Sequence, residues 1–334
     1  MTDTTIPDAR PSVGHDRRPL DPDVADLLRS SLRHVLTEVT DTPLADRLAA
    51  LGWDEVLADN APAALGLLFE LKGATLSAAD ALGVQLAATL AEITGDASLA
   101  SASVTVPSPF GPSTLEADAL EVETMALSDV RGRDLVIVVG DRLAVCPSTG
   151  LAAAPVHGVD DSLSFVRITG RVPAGAVRWI DDGVADRLVA TGRRLIACEL
   201  VGIGRQVVQT AVEYTKVRVQ YGKPIGVFQA LQHRLASAHA LVIGAGHLAD
   251  EAGFAGDAWS AIVAKAMAGH AAEFACTQAQ QCFGAIGFTW EHEFHRYLRR
   301  ASTLDRLLGD WRSLEHEIGE RLQATGTVPR IGSL

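Results

Sequence analysis

Aromatic side chains are scarce in this sequence: they make up 5% of its 334 residues, although 48% of the residues are apolar. A core short of rings must be filled by small aliphatic groups, here chiefly Ala, Leu and Val. Thin side chains suit helices packed closely on one another. An excess of positive charge is missing too. Lys and Arg number 29 against 41 Asp and Glu, a formal net charge of −12. That balance excludes the basic footprint that nucleic acid requires. Cysteine is limited to Cys146, Cys198, Cys276 and Cys282, all in apolar contexts and none in a CxxC spacing. They read as free buried thiols of a reducing compartment. No apolar run reads as long enough to cross a membrane, and the N-terminus lacks the apolar core of a signal peptide. The expectation is a soluble, cytoplasmic chain with no membrane or nucleic-acid partner.

What is present is helical periodicity, interrupted once. Residues 1–21 carry Pro, Asp and Arg with few apolar residues and read as a flexible tail. Residues 22–97 read as an N-terminal helical domain. In "VADLLRSSLRHVL", Val24, Leu27, Leu28, Leu32, Val35 and Leu36 recur at three- and four-residue steps. "PLADRLAALGWDEVL" and "PAALGLLFELKGATL" follow, each broken by Gly or Pro, and then "AADALGVQLAATLAEITG". Residues 98–182 change texture to a reduced antiparallel β-domain. "DLVIVVGDRLAVC" predicts a hairpin about Gly140-Asp141, with Gly in the first loop position suiting a type II′ turn. "LSFVRITG" and "AVRWI" predict further strands. Residues 183–324 return to the helical period, with turn signals near Gly222–Gly226, Gly253–Asp257, Gly284–Gly287 and Gly309, and predict a C-terminal four-helix bundle before a tail at 325–334. The fold class is mainly α with a small β-domain.

Familiar chemical motifs can be set aside. "GAGHLA", Gly244–Ala249, matches a dinucleotide fingerprint, but its flanks continue a helix where a strand is needed. "QYGKP" lacks the first Gly and the Ser/Thr of a P-loop. In "HEFH" the pair His292 and His295 is one residue short of a zincin spacing, and a surface or capping role is expected. There is no GxSxG. Two stretches remain: "RVQYGKPIGVFQALQHRLA", Arg218–Ala236, and "QQCFGAIGFTWEHEFHRYLRRA", Gln280–Ala301. Each ends a helix, passes through a Gly-bearing turn and starts another helix. Each sets Gln or Arg at the turn. Helix starts offer free N–H groups to anions, and a guanidinium binds a phosphate bidentately.

These two blocks resemble the signatures "RxQFGxPIxxFQxxQHxLA" and "QxxGGxGFxxE" of the acyl-CoA dehydrogenase family. The resemblance covers the C-terminal half closely and the N-terminal helices loosely. It implies FAD as cofactor and oxidation of an acyl-CoA thioester, with an electron-transfer flavoprotein as acceptor. It implies that Arg218 contacts the pyrophosphate of FAD across a subunit interface, with Gln220 and Tyr221 beside it. Phe228 and Gln229 match positions beside the adenosine half. Gln281, Gly284 and Ala285 match the turn that receives a neighbouring subunit's FAD. The family has a second Gly where this chain has Ala285, whose methyl group is expected to press on a close backbone approach.

The resemblance also marks what is missing. Family chemistry needs a carboxylate base in a dry pocket. One of its two placements falls on Gly192, the other on Leu308 in "TLDRLLGD". Glu199 lies seven residues after Gly192, about 10 Å along the helix. Set among apolar residues, it needs a partner such as Arg194 or Arg205. Asp305 is a weaker substitute still. The segments that cover the flavin in the family have no counterpart between Ser101 and Ile180, and Trp179 reads as core. The chain therefore resembles the shortened, base-lacking subunit of actinobacterial heterotetrameric (α2β2) acyl-CoA dehydrogenases of the steroid side-chain type, paired with a homologous catalytic subunit. An active homo-oligomer using Glu199, or a flavin-free assembly scaffold, are the alternatives.

Overall fold

In the computed structural model, residues 20–40, 42–180 and 183–329 are described; the expected terminal tails fall mostly on residues 1–19 and 330–334, outside them. The first helices are α1 (Pro22–Thr37), α2 (Leu44–Ala49), α3 (Trp53–Thr75) and α4 (Ala81–Thr94). Asp21 caps α1 by accepting from the Asp23 N–H, and Pro22 opens the helix where its missing N–H costs nothing. Leu28, Leu32, Val35 and Leu36 face inward as the periodicity predicts. Val24 and Leu27 do not: they are 50% and 71% exposed, at the outer edge of the stripe. The break expected at Pro62 is a kink that divides α3 into two helical runs. It sits inside α3, where Asn60 leaves helical geometry at φ −153° and accepts from the Ala63 N–H, recapping the helix past the kink.

Two small sheets follow. One contains β1 (Ser103–Val104), with later strands β5 (Asp134–Val139), β6 (Arg142–Pro147) and β9 (Arg178–Ile180), in the order β1-β5-β6-β9. The other contains β2 (Val106–Pro107), β3 (Thr114–Leu115), β4 (Ala119–Ala126), β7 (Ala152–Val156) and β8 (Phe165–Pro173), in the order β2-β4-β8-β7 with β3 on β4. Their inner faces share a core of Leu120, Val122, Leu135, Ile137 and Ile168. The pairings are antiparallel except for β1 with β5, which is parallel. The β5–β6 hairpin turns at Gly140, whose φ of +62° beside an Asp141 of ordinary negative φ is the type II′ arrangement.

The C-terminal helices are α5 (Val184–Val217), α6 (Gln229–Ala255), α7 (Ala258–Phe283), α8 (Phe294–Arg306) and α9 (Trp311–Thr325); a two-residue hairpin of β10 (Val219–Gln220) and β11 (Lys223–Pro224) joins α5 to α6. By length and composition α5 is apolar enough to cross a membrane, against the sequence expectation, but 72% of its apolar window is buried inside the protein. It is the axis of the core. The "GAGHLA" stretch lies within α6, so no dinucleotide turn exists there.

Alpha3 and α5 cross backbone to backbone. A Cβ on Gly73 would stand 2.0 Å from the Glu199 carbonyl oxygen, and one on Gly202 would stand 1.9 Å from that of Glu70. Neither obstacle is a movable side chain. Gly73→Ala and Gly202→Ala are each expected to destabilise the fold by about 2–3 kcal/mol through helix displacement. Urea unfolding checks this, and a midpoint unchanged by either variant rules out so close a crossing.

Candidate functional site

One end of the bundle gathers both motif blocks. The end of α5 meets the end of α7 through Tyr214 and Phe283, whose rings pack edge to face at 5.3 Å, and both contact the His292 ring. The start of α6 is tied to α7 by Arg234, which donates to Gln278 Oε1 at 2.7 Å. The two turns are therefore neighbours on one surface.

Arg218 caps α5 in an extended conformation, and its side chain is exposed with no hydrogen bond or ion pair to another described residue. Gln220 is exposed. Tyr221 is 92% exposed and takes φ +54°, followed by Gly222 at φ +76°. A bulky residue in that left-handed region is strained by about 1–3 kcal/mol. Phe228 is half-buried, meets the Tyr221 ring at 6.2 Å, and lies under the Lys223 ammonium at 4.9 Å. It stands at the N-cap of α6, where no side chain caps the helix; the exposed Gln229 opens that helix, and Gln232 donates instead to the Gly226 carbonyl at 2.8 Å. From Lys216 to Arg234 there are four Lys or Arg residues and no carboxylate, in a chain of net charge −12. This local reversal of charge is the signal that reading the motif one residue at a time overlooks.

In the second turn, Gln281 and Ala285 are exposed and Gly284 is half-buried. Gly284 takes φ +62°, ψ −136°, a conformation essentially restricted to glycine. Ala285 does not appear among the residues of positive φ, so its backbone does not require Gly. Phe288 and Trp290 beyond the turn are 80% and 72% exposed. His292 acts as the cap expected for it, accepting from the Phe294 N–H through Nδ1 at 3.1 Å. No group of three metal-ligating side chains occurs among the described residues.

Far from this surface, the fold brings together the two positions that the sequence resemblance assigns to a base. A Cβ on Gly192 would lie 2.5 Å from a methyl carbon of Leu308, with Leu86 of α4 beside it at 3.6 Å. Gly192 is buried within α5, and Leu308 follows α8 at φ +58°. Neither carries a carboxylate.

Glu199 has different partners from those expected. Arg194 donates to the Pro62 and Ala249 carbonyls, and Arg205 pairs with Glu70 at 2.6 Å. Glu199, 1% exposed, instead receives Lys72 at 2.8 Å and Arg300 at 3.2 Å. Arg300, 0% exposed, also bonds to Asp160, to Ser162 Oγ at 2.7 Å and to the Ser77 carbonyl at 3.0 Å. Burial opposes the charge of Asp160, but Ser162 and Arg300 outweigh it and hold its pKa below the ordinary value. The four alternating charges join α3, α5, α8 and the loop before β8. No one-helix periodicity reveals such a partnership, which is why the sequence points to the wrong arginines.

A second buried cation, Lys265, donates to the carbonyls of Asp305 and Gly309 at 2.9 and 3.0 Å and lies 3.5 Å from the Asp305 carboxylate. Burial pushes its pKa down to about 8 despite Asp305, and burial pushes Asp305 up despite Lys265. From about pH 8 to about pH 10 the unfolded chain binds a proton that the folded Lys265 has lost, so its contribution to stability rises with pH. Relative to Lys265→Met, the wild type is expected to gain about 2 kcal/mol across that window. Urea titration at both ends checks the sign, and a flat difference refutes it. Asp305 acts oppositely at lower pH: its folded state holds a proton above the ordinary carboxyl value, so stability falls as pH rises through that window.

The four cysteines are buried and free, as expected. Burial pushes Cys276 up to about 12 and Cys198 to about 11, which leaves them as unreactive thiols. Trp179 packs against the β-core with the Arg142 guanidinium over its ring at 4.7 Å.

Residues 182–322 match the family described as "Acyl-CoA dehydrogenase, C-terminal domain". The chain is 34% identical over 176 residues to acyl-CoA dehydrogenase IpdE2 of Mycobacterium tuberculosis, covering 52% of this chain and 54% of that protein. It is 35% identical over 162 residues to acyl-CoA dehydrogenase FadE34 of the same organism, covering 46% of this chain and 22% of that one. It thus spans about half the length of IpdE2 and less of FadE34. Among solved structures, a chain of the Tcur3481-Tcur3483 steroid ACAD G363A variant superposes with a TM-score of 0.75 at 19% identity, covering 91% of this chain and 98% of that one. A chain of the ChsE4-ChsE5 complex from Mycobacterium tuberculosis gives 0.70 at 18% identity, covering 94% and 100%. Residues 182–322 thus match an acyl-CoA dehydrogenase C-terminal domain, and along nine-tenths of its length the chain shares the fold of the solved steroid ACAD chain.

Proposed function

We propose that this chain is the non-catalytic subunit of a heteromeric FAD-dependent acyl-CoA dehydrogenase, in which a homologous catalytic chain supplies the base. The observation that carries the reading is the contact of Leu308 with Gly192: the two places available for the family's base are filled by each other's apolar surface. Glu199 offers no replacement, since Lys72 and Arg300 hold its carboxylate in a closed interior. The other end of α5 keeps a surface suited to an anionic cofactor. Its cationic stretch carries no carboxylate, Arg218 has no partner within the described chain, and α6 begins without a side-chain cap.

FAD, when bound in the shared site, supplies the hydride acceptor for α,β-desaturation of an acyl-CoA thioester. In this reading Arg218 grips its pyrophosphate, with Gln220 and Tyr221 flanking. Phe228 and Gln229 lie along the adenosine half, and Gln281, Gly284 and Ala285 form the turn facing it. An alanine at 285 is compatible with that role because the conformation restricted to glycine falls on 284. The proposed substrate carries a bulky, steroid-derived acyl group, a choice supported by the steroid ACAD among the structural neighbours. An electron-transfer flavoprotein is the proposed acceptor.

Co-expression with a homologue that retains a carboxylate base tests the reading. A yellow α2β2 complex with one flavin for every two chains is expected, active only with the partner's base intact. Activity and flavin in this chain purified alone refute it. So does a complex that forms without flavin, which identifies a scaffold.

A further inference from the structure

We propose that the Asp305–Asp310 segment is a fixed plug, with Leu308 occupying the space that an acyl group needs in this chain. This deepens the reading above and rests on it: the chain not only lacks a base but has closed its own substrate slot.

The plug is held by its backbone. Lys265, fully buried on α7, donates to the carbonyls of Asp305 and Gly309. Arg193 Nε, one residue beyond Gly192, donates to the Leu308 carbonyl at 3.0 Å. The Asp305 carboxylate accepts from the Trp311 N–H at 3.2 Å, which closes the segment on itself. Three carbonyls of the segment, those of Asp305, Leu308 and Gly309, are thereby fixed from two different helices. The outcome is a backbone that leucine adopts reluctantly, at φ +58°.

That strain has a visible use. It aims the Leu308 side chain at the face of α5 that Gly192 leaves bare, with Leu86 of α4 beside it. A methyl group on residue 192 would lie 2.5 Å from the Leu308 methyl carbon, so it fits only if the Leu308 side chain shifts. A loop retained merely as a connection needs neither a buried lysine nor a left-handed leucine. The close approach of Asp305 to α7 is also built in, because a Cβ on Gly269 would lie 2.2 Å from its Oδ1.

Two measurements on the full chain, purified without a partner, test the plug independently of the heteromer reading. In calorimetric titration with octanoyl-CoA, the wild type is expected to show no binding, and Leu308→Ala to bind at least tenfold more tightly. Binding by the wild type, or no gain in Leu308→Ala, overturns the proposal. Trypsin cleavage after Arg306 reads the clamp itself. The wild type is expected to resist, and Lys265→Met, which keeps the volume but removes the donors, to be cut there at least tenfold faster. Equal rates overturn it. Failure to co-purify with a catalytic homologue, or absence of flavin, bears on the proposed function alone and leaves both readouts standing.

Discussion

Replacing Arg300 by methionine is expected to destabilise the fold by about 3–5 kcal/mol, more than an ordinary core truncation. The guanidinium is fully buried and uses all three of its nitrogens on Asp160, Glu199, Ser162 and backbone carbonyls. Removing it leaves Asp160 without a cation and Glu199 with only Lys72. Uncompensated buried charge, rather than the lost bonds, sets the magnitude. Glu199→Gln should cost less, because an amide still accepts from Lys72 while no full charge is stranded on the acidic side. The combination Arg300→Met with Asp160→Asn is expected to recover part of the loss, since the stranded anion is removed with its partner. Chemical denaturation of the wild type, Arg300→Met, Asp160→Asn and their combination measures the coupling. Strictly additive effects contradict the network. Turnover of the partnered complex, per folded complex, should not change with Glu199→Gln; a large fall in turnover restores Glu199 as a candidate base.

Arg218→Ala is expected to lower the affinity of the partnered complex for FAD about tenfold to a hundredfold. Charge-assisted hydrogen bonds contribute roughly 1.5–3 kcal/mol, and a bidentate phosphate contact forms two. The fold has little stake in the side chain, which is exposed and makes no hydrogen bond or ion pair with other described residues. Flavin loss should therefore occur without a change in the unfolding midpoint. Arg218→Lys should recover only part of the affinity, because an ammonium keeps the charge but not the planar fork. Flavin absorbance after dialysis at rising salt separates the variants, the wild type retaining most. Equal retention by wild type and Arg218→Ala removes Arg218 from the site.

The helices were legible because burial imposes a period on them. Ile196, Leu200, Ile203, Val207 and Ala211 are all buried on α5, as their spacing requires. The less legible elements have local causes. Beta4 is written "ALEVETMA", rich in helix formers, and its strand state comes from pairing with β8 along its whole length. Beta7, "AAAPV", is an edge strand and has almost no inward face to leave a pattern. The break read at Pro62 is present, and its cause is Asn60, which leaves helical geometry and caps a second helical run. At the candidate site, the two turns were legible as motifs, whereas their meeting through Tyr214 and Phe283 was not. Lys72, Asp160, Glu199 and Arg300 belong to four separate segments, so only the folded chain can show that they neutralise one another.

Helix α5 runs without a break from Val184 to Val217, about 51 Å of rod. Gly192 lies near its beginning and Arg218 caps its end, about 39 Å apart along the same axis. Groups so far apart and sharing no neighbour respond independently to substitution. One tip of the rod can be refitted, plugged or emptied while the other tip is left as it was. On the proposed reading, a single helix lets this protein surrender one half of an enzyme's equipment and lend out the other, with no intermediate form in which the two changes must be made together.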